Sequence, residues 1–304
     1  MKVLITGGTG FVGRRIVHEL QKAGDKVVIL TRDIDHAVKI LGNQCNCFEW
    51  ASPSETMPPL EAFRGVDGVI NLMGEGIADK RWSDEQKQRI YDSRVLGTAN
   101  LVKAMSELEH KPRVLVSASA MGIYGNRGEE DISESSNIAD DFLAHVCHDW
   151  EDRASQAENF GMRVVLIRTG VVIGHDGGAL KKMLPAFKLG AGGKVGSGDQ
   201  YMSWIHVDDL VKMYIETLKH GDFSGPYNAT APIPVRNWEF TKILGKVLKR
   251  PTMATVPAFI LKLLFGEMAK VLLEGSKVLP RKFQEKNFVF KFPTLEGALR
   301  DAAL

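Results

Sequence analysis

Several features that would assign a protein to a large class are missing from this sequence of 304 residues. Its three cysteines, Cys45, Cys47 and Cys147, cannot all pair, which favours a reducing compartment and predicts a cytoplasmic location. A formal net charge of +2 gives no electrostatic reason to expect nucleic acid or an anionic membrane as a partner. The N-terminus has no apolar segment of the kind that signal peptides carry.

Long hydrophobic runs and metal-binding clusters are absent as well. The most apolar stretch, 256–275, is interrupted by charged residues and a glycine, so it predicts an amphipathic helix rather than a membrane span. Cys45 and Cys47 lack the second pair of ligands that a zinc site needs, and His145 and His148 lack a third ligand. The sequence therefore predicts no metal site.

Strand-like and helix-like segments alternate through about residue 170. Short β-rich runs predict strands at 2–6, 27–30, 45–50, 66–72, 114–117 and 163–168. Apolar residues at helical spacing follow the first glycines, and further helices are predicted at 37–41, 83–108 and 140–160. This alternation is typical of an α/β protein with a Rossmann-type doubly wound parallel sheet.

The alternation ends near residue 174. The segment 190–198 contains five glycines and predicts a mobile loop, because glycine weakens both helices and strands. Asp208 is placed to cap a helix that runs to His220, and mainly helical segments follow. We expect a dinucleotide-binding Rossmann domain over residues 1–174 and a smaller, mainly helical lobe over residues 175–304, from which elements can return to the sheet.

A glycine-rich segment directly follows the first strand and opens the first helix. Glycine lets the backbone turn tightly and approach a pyrophosphate, while the helix N-terminus presents unpaired N–H groups to the phosphates. The segment therefore predicts a dinucleotide site that includes Gly7, Thr9, Gly10, Phe11, Val12 and Gly13.

The end of the second strand bears on the choice between NAD and NADP. NAD-preferring sites place an acid there to accept from the ribose hydroxyls. Here Thr31 is followed by Arg32, whose guanidinium can pair with the 2′-phosphate of NADP. Asp33 stands one residue further on and points differently, so the sequence favours NADP, in particular NADPH, as the cofactor.

Several phrases resemble extended short-chain dehydrogenases of the epimerase/dehydratase type. They are TGGTGFVG at 6–13, SASAMGIYG at 117–125 and WIHVDD at 204–209. More narrowly, NLMGEGI at 71–77, SRVLGT at 93–98, RTGVV at 168–172 and the C-terminal segment are similar to one atypical "epimerase family" branch with its own C-terminal domain. Some members of that branch are labelled cell-division inhibitors, but these residues give that label no chemical basis.

The resemblance implies further cofactor contacts and a departure from the usual active site. The implied contacts are Leu72, Met73, Gly74, Arg94, Ser117, Ala118 and Val172. Ordinary members of the superfamily use a serine with Tyr-x-x-x-Lys, in which tyrosine transfers a proton and lysine lowers its pKa. Here the serine is retained, best placed at Ser119 with Ser117 as an alternative, whereas Leu143 and Cys147 stand for the tyrosine and the lysine.

Three residues are therefore candidates for the reacting centre: Ser119, Cys147 and Arg94. Arg94 stands where the superfamily has an asparagine, and it can hold a cofactor phosphate or a substrate carboxylate. Cys147 is either a thiolate base or nucleophile, or a small residue that fills the space of the lost lysine.

Two functions agree with these residues. The first is an NADP(H)-dependent oxidoreductase or epimerase acting on a small molecule, and a mouth formed by Lys80, Arg81 and the loop with Gln200 would suit an anionic substrate. The second is a non-catalytic protein that senses NADPH and NADP⁺, as the missing tyrosine and lysine would allow.

Overall fold

The computed structural model describes residues 1–303. The strands are β1 (Lys2–Thr6), β2 (Lys26–Thr31), β3 (Asn46–Glu49), β4 (Gly68–Asn71), β5 (Val114–Ala120), β6 (Gly128–Ile132), β7 (Arg163–Thr169), β8 (Val171–Gly174), β9 (Gly193–Val195), β10 (Tyr201–Met202), β11 (Trp204–His206), β12 (Gly225–Ala229), β13 (Val235–Arg236), β14 (Ala254–Val256) and β15 (Ser276–Val278). The helices are α1 (Gly13–Lys22), α2 (Ile34–Leu41), α3 (Asp84–Glu107), α4 (Phe142–Ser155), α5 (Gly178–Lys188), α6 (Val207–Lys219), α7 (Asn237–Leu248), α8 (Ala258–Phe265), α9 (Lys270–Leu273), α10 (Arg281–Glu285) and α11 (Leu295–Ala303).

Seven of these strands form the central sheet, in the order β12-β7-β5-β4-β1-β2-β3. Every neighbouring pair in it is parallel. The strand order reverses between β1 and β4, so the loops that follow these two strands diverge and leave a crevice at the carboxyl edge. The predicted Rossmann-type doubly wound sheet is confirmed.

Apolar residues cover both faces of the sheet, which explains why its strands read as continuous hydrophobic runs. Val3 and Ile5 of β1 pack into one core cluster together with Leu20 of α1. Leu4, which lies between them in the strand, packs into the opposite cluster with Leu101 of α3. Each such side chain contributes about 1.5–3 kcal/mol to the stability of the fold when it is fully buried. The two clusters therefore stabilise the sheet whose carboxyl edge carries the crevice.

The chain returns to the central sheet after residue 175. β12 pairs with β7, and Tyr227 lies opposite Ile167 in that ladder. Later helices pack in a third apolar cluster that includes Phe240, Leu244 and Leu299. The C-terminal third thus supplies an edge strand of the sheet as well as a mainly helical region.

The glycine-rich segment 190–198 contains a strand, so the prediction of a loop throughout it is wrong. β9 pairs in parallel with β14. A Cβ atom built on Gly193 would lie 2.1 Å from the carbonyl oxygen of Ala254. Glycine is required here because two backbones approach closely, a tertiary condition that the sequence alone does not reveal.

The stretch 256–275 is not one amphipathic helix, and that prediction is also wrong. α8 ends at Phe265 because Gly266 adopts a φ of +60°, and a 3-10 turn and the short α9 follow. Within residues 1–303 no helix is both long and apolar enough to cross a membrane.

Side chains cap the starts of several helices, among them α2, α3 and α6. Ser83 caps α3, since its hydroxyl accepts from a backbone N–H three residues on, and the helix begins close to the predicted residue 83. Asp33 caps α2, which begins before the predicted residue 37. α6 is capped by His206 rather than by Asp208, since the His206 Nδ1 accepts from the Asp208 N–H at 3.2 Å.

Candidate functional site

A polar cavity of about 520 Å³, here called the first cavity, lies at the crevice where the strand order reverses. Its walls come from the loops that follow β1, β2, β3 and β4, together with one face of α3. Of the predicted cofactor-binding residues, those that line it are Gly7, Thr9, Gly10, Thr31, Arg32, Leu72, Met73 and Gly74.

Glycines hold the loop after β1 close against its neighbours. Gly7 has a φ of +66°, and a Cβ atom there would lie 2.8 Å from the Leu72 carbonyl oxygen. A Cβ atom on Gly13 would lie 2.2 Å from the Gly7 carbonyl oxygen. The loop is therefore flat against β4 and α1, and its backbone is open to a phosphate group in the first cavity.

Arg32 stands at the edge of the first cavity with an exposed side chain. No carboxylate lies within ion-pair distance of it among residues 1–303. Asp33 is turned away, since its Oδ1 accepts from the His36 N–H at 2.9 Å in the α2 cap. This geometry leaves the Arg32 guanidinium available for an anion, which is required if Arg32 is to pair with the 2′-phosphate of NADP.

Two parts of the first cavity were missed by sequence reasoning. Trp50 and the following residues 51–55 form one wall, and the indole N–H of Trp50 donates to the Thr56 carbonyl at 2.9 Å. Arg89 also lines the cavity and pairs with Glu85 at 3.1 Å. The position of 50–55 directly after β3 was the signal that could have found this wall.

The remaining predicted cofactor contacts do not line the first cavity. Phe11 packs against the glycines after β8, and Val12 and Val172 pack against the apolar core. Ser117 is fully buried and accepts from the Asn71 amide at 3.2 Å, so it reaches neither cavity. Gly13 and Ala118 likewise line neither, and Arg94 lies in the wall of a different one.

An apolar cavity of about 400 Å³, here called the second cavity, adjoins the first. The three residues predicted for the reacting centre, Ser119, Cys147 and Arg94, all line it, and so does Leu143. The residues predicted to form the mouth do not line this cavity. The Gln200 amide donates to the carbonyls of Val195 and Leu272, and Lys80 and Arg81 lie outside the lining. The mouth is formed instead by Glu267, Lys270 and Glu274 on the segment that includes α9.

Ser119 is tied to a buried ion pair beneath the second cavity. Its hydroxyl donates to Glu151 Oε1 at 2.6 Å, and Arg168 binds both carboxylate oxygens of Glu151 at 2.8 and 2.7 Å. An ionised carboxylate only accepts, so the Ser119 proton points at Glu151 and the serine oxygen keeps lone pairs for a ligand. Sequence reasoning placed Ser119 but gave no sign of its partners.

Tyr124 belongs to the same buried network. Its hydroxyl donates to Asn228 at 2.7 Å and accepts from Arg168 at 2.8 Å. Burial raises the pKa of Tyr124 to about 12, and the side chain is completely inaccessible. Tyr124 therefore acts as a structural link between β7, β12 and the second cavity.

Cys147 sits on α4 with a buried side chain. Burial raises the pKa of its thiol to about 12; the charge of Glu151 adds to this shift, and Arg94 opposes it. The neutral thiol is favoured at neutral pH, so the structure lends no support to a thiolate. Leu143, one turn earlier, contributes only apolar surface.

Arg94 lies in the wall between the two cavities. Its guanidinium carbon is 5.3 Å from the Trp150 ring centroid, and one N–H donates to the Ile90 carbonyl at 3.2 Å. A Cβ atom on Gly74, a residue of the first cavity, would lie 2.9 Å from the guanidinium carbon. Burial lowers the pKa of Arg94, while Cys147 and Glu75 act in the opposite direction.

A parallel sheet with a glycine loop at its switch point and a second cavity beside it defines a Rossmann-type dinucleotide-binding protein of the extended short-chain dehydrogenase class. The model of the NAD dependent epimerase/dehydratase family matches residues 3–230, and the model of a domain of unknown function, DUF1731, matches residues 256–302. The chain belongs to the NAD dependent epimerase/dehydratase family, and the resemblance drawn from its motifs is confirmed.

Relatives resemble this chain over almost its whole length. The chloroplast epimerase family protein SDR39U1 homolog of Arabidopsis thaliana is 44% identical over 302 residues, covering 99% of this chain and 86% of that protein. Epimerase family protein YfhF of Bacillus subtilis is 37% identical over 300 residues, covering 98% and 97%.

Solved structures support the fold and one bears on the cofactor. Human epimerase family protein SDR39U1, solved with NADPH, has a TM-score of 0.87 and 30% identity, and the match covers 100% of this chain and 99% of that one. UDP-glucose 4-epimerase of Thermotoga maritima has a TM-score of 0.80 at 18% identity, with coverage of 100% and 97%, which supports the fold alone.

Proposed function

We propose that this protein is an NADPH-binding oxidoreductase that acts on a small molecule held in the second cavity. An epimerase that oxidises its substrate and then reduces it would use the same two cavities. The observation that carries the proposal is the wall between the cavities: a Cβ atom on Gly74, which lines the first cavity, would lie 2.9 Å from the guanidinium carbon of Arg94, which lines the second. A cofactor in the first cavity and a substrate in the second would therefore meet at this wall.

The residues present fit the cofactor. The glycine loop offers backbone at the crevice, and Arg32 offers an unpaired guanidinium for the 2′-phosphate. NADPH, when bound, supplies the hydride. Ser119 would accept a hydrogen bond from a substrate hydroxyl, because its own proton is directed at Glu151. Arg94 would bind negative charge on the substrate.

The test is a fluorescence titration with NADPH and with NADH, on the wild-type protein and on Arg32→Ala. We expect NADPH to bind at least about tenfold more tightly than NADH, since a hydrogen-bonded charge pair contributes about 1.5–3 kcal/mol. Arg32→Ala should remove this preference. Arg64→Ala, at an exposed arginine outside both cavities, is the control. Equal affinity for both nucleotides would contradict the proposal.

A second candidate function is a sensor of the NADPH/NADP⁺ ratio. It is favoured by Leu143 and Cys147, which line the second cavity without supplying the tyrosine hydroxyl or the ammonium of ordinary family members. A sensor would bind a protein partner in one cofactor state only. Pulldowns in NADPH and in NADP⁺ that recover the same proteins would count against it.

Two further expectations belong to this proposal. We propose that residues 1–174 act as the cofactor domain and that the region from 175 onward closes the substrate side. The part of the C-terminal region that does so is Glu267 to Ser276, which lines the second cavity. The three free cysteines support a cytoplasmic, reducing location, which fractionation of the cells would test.

A further inference from the structure

The lining of the second cavity is dominated by apolar and aromatic side chains. Trp82 and Phe142 meet edge to face, with ring centroids 5.3 Å apart. Ile90, Leu143 and Val146 complete this wall. Such a surface stabilises a ligand by excluding water from its apolar body, and it offers few partners to a ligand rich in hydroxyl groups.

One cation interrupts this apolar wall. Arg94 has five N–H donors, and a single hydrogen bond, to its own helix at Ile90, accounts for one of them. No carboxylate lies within 4.0 Å of its guanidinium in the part of the chain that the structure describes. Trp150 covers one face of the group and leaves its edge for a planar anion.

The charge around the mouth limits how many negative groups a ligand can carry. Lys270 lines the cavity with three carboxylates, Asp141, Glu267 and Glu274, of which Glu267 is paired with Lys87 outside the lining. A nucleotide diphosphate would add at least two negative charges beside these acids, and among residues 1–303 Arg94 is the one arginine in the cavity lining. This arrangement disfavours a sugar nucleotide.

We propose that the substrate is a small monocarboxylate with an aromatic or aliphatic body. Its carboxylate pairs with Arg94, and its body packs against Trp82 and Phe142. The cavity of about 400 Å³ lies within the range of about 300–1,000 Å³ usual for small-molecule sites. This inference rests on the proposed function, because it names the substrate class of the same site.

The experiment is a calorimetric titration of the NADPH complex, and of the protein without cofactor, with naphthoate as the probe. Naphthalenemethanol has the same body without the charge, acetate has the charge without the body, and UDP-glucose represents the sugar nucleotides. We expect saturable binding of naphthoate, weaker binding of the first two comparators and no displacement by UDP-glucose.

Variants assign the charge to Arg94. Arg94→Met should weaken naphthoate binding about 10- to 100-fold, the effect of losing a charged hydrogen-bonded pair, and leave naphthalenemethanol and NADPH unchanged. Lys103→Met, at an exposed cation of the same helix, should change nothing. Leu143→Glu, which places a carboxylate in the cavity, should exclude naphthoate even if Arg94→Met fails to fold.

Each contrary result has one meaning. If naphthoate fails to bind while NADPH binds, or if UDP-glucose displaces it, the substrate class is wrong and the proposed function stands. If Arg94→Met weakens NADPH as much as naphthoate, Arg94 belongs to the cofactor and the inference is overturned. If NADPH itself fails to bind the wild-type protein, the proposed function is wrong. The carboxylate site is then tested separately by the titration without cofactor, in which naphthoate binding supports the site and no binding contradicts it.

Discussion

The two cavities are built in different ways. The first is assembled from loops at the carboxyl ends of β1 to β4, where a few consecutive residues supply glycine backbone, an arginine and polar side chains. The second is assembled from α3, α4, the end of β5 and the segment 267–276, which are far apart in the chain. A local motif is enough for the first, whereas the second depends on packing between distant segments.

The chemistry of the two cavities differs accordingly. The first presents backbone groups and an exposed, unpaired Arg32 to a highly charged ligand. The second is mostly apolar: Ser119 is committed to Glu151, Cys147 is kept neutral by burial, and Arg94 supplies a cation. Substitutions that affect one cavity and spare the other test whether this division is real.

The largest effect is expected from breaking the ion pair beneath the second cavity. Glu151→Ala leaves Arg168 buried without a counter-charge, which should lower the free energy of unfolding by about 3–5 kcal/mol. Chemical denaturation measures this, with Glu158→Ala, at an exposed glutamate that follows α4, as the control. NADPH affinity of the remaining folded protein should be unchanged. A loss below about 1 kcal/mol, the value of an exposed pair, would contradict the buried network.

A substitution in the glycine loop should affect the first cavity and spare the second. Gly7→Ala forces a side chain into a positive φ and against the Leu72 carbonyl, a strain of about 1–3 kcal/mol that should weaken NADPH about tenfold or more. Gly24→Ala is the matched control, since Gly24 also has a positive φ, +81°, but open space around it. Naphthoate binding without cofactor should be the same in both variants. Equal loss of NADPH affinity in both would mean that backbone strain alone is responsible.

A third prediction concerns the neutral state of Cys147. Its folded pKa, about 12, lies above the ordinary value of 9.0, so the native state holds the proton that the unfolded chain releases. Stability should be constant below about pH 9 and fall above it, by at most about 1.4 kcal/mol per pH unit from this group. Cys147→Ala should reduce that slope in denaturation measured from pH 8 to 11. Rapid alkylation of Cys147 in the native protein at pH 7 would contradict a buried thiol.

The smallest effect is expected from the start of α3, the helix that contributes to both cavities. Ser83→Ala removes its cap and should lower stability by about 1 kcal/mol. Affinities for NADPH and for naphthoate should weaken slightly and together, if at all. Ser83→Asp, which restores an acceptor at the helix start, should recover the stability. A change in only one affinity would show that α3 does not link the two cavities.

Much of the first cavity was predictable because its determinants are local. Gly7, Gly10 and Arg32 were identified from their order relative to strands one and two, Gly74 was implied by the family resemblance, and all four line the first cavity. Trp50 was missed because the sequence does not show which loop faces another across the crevice. Ser117 reaches neither cavity because it lies two residues before Ser119 in β5, on the same face but further from the carboxyl end of the strand, where it accepts from Asn71.

The sequence predicted which residues would form the reacting centre of the second cavity, but not their hydrogen-bond partners or the position of the mouth. Ser119, Arg94 and Cys147 were taken from the family resemblance and all line this cavity, yet the resemblance gave no pairing of Glu151 with Arg168. The predicted mouth residues do not line the cavity. Helix α8 ends before Gly266, so that the segment from Glu267 to Ser276 lines the cavity instead, and the Gln200 amide is bound to the Leu272 carbonyl.

By itself the sequence determined the alternation of strands and helices, the glycine loop and the identity of the charged residue after β2, because each depends on neighbours within a few positions. Only the tertiary structure decided that no carboxylate of residues 1–303 lies within 4.0 Å of the Arg94 guanidinium, that Ser119 points its proton at Glu151 and that the Cys147 thiol stays neutral. Hydrogen-bond direction and pKa depend on burial and on partners far away in the chain, and those are settled only when the chain is folded.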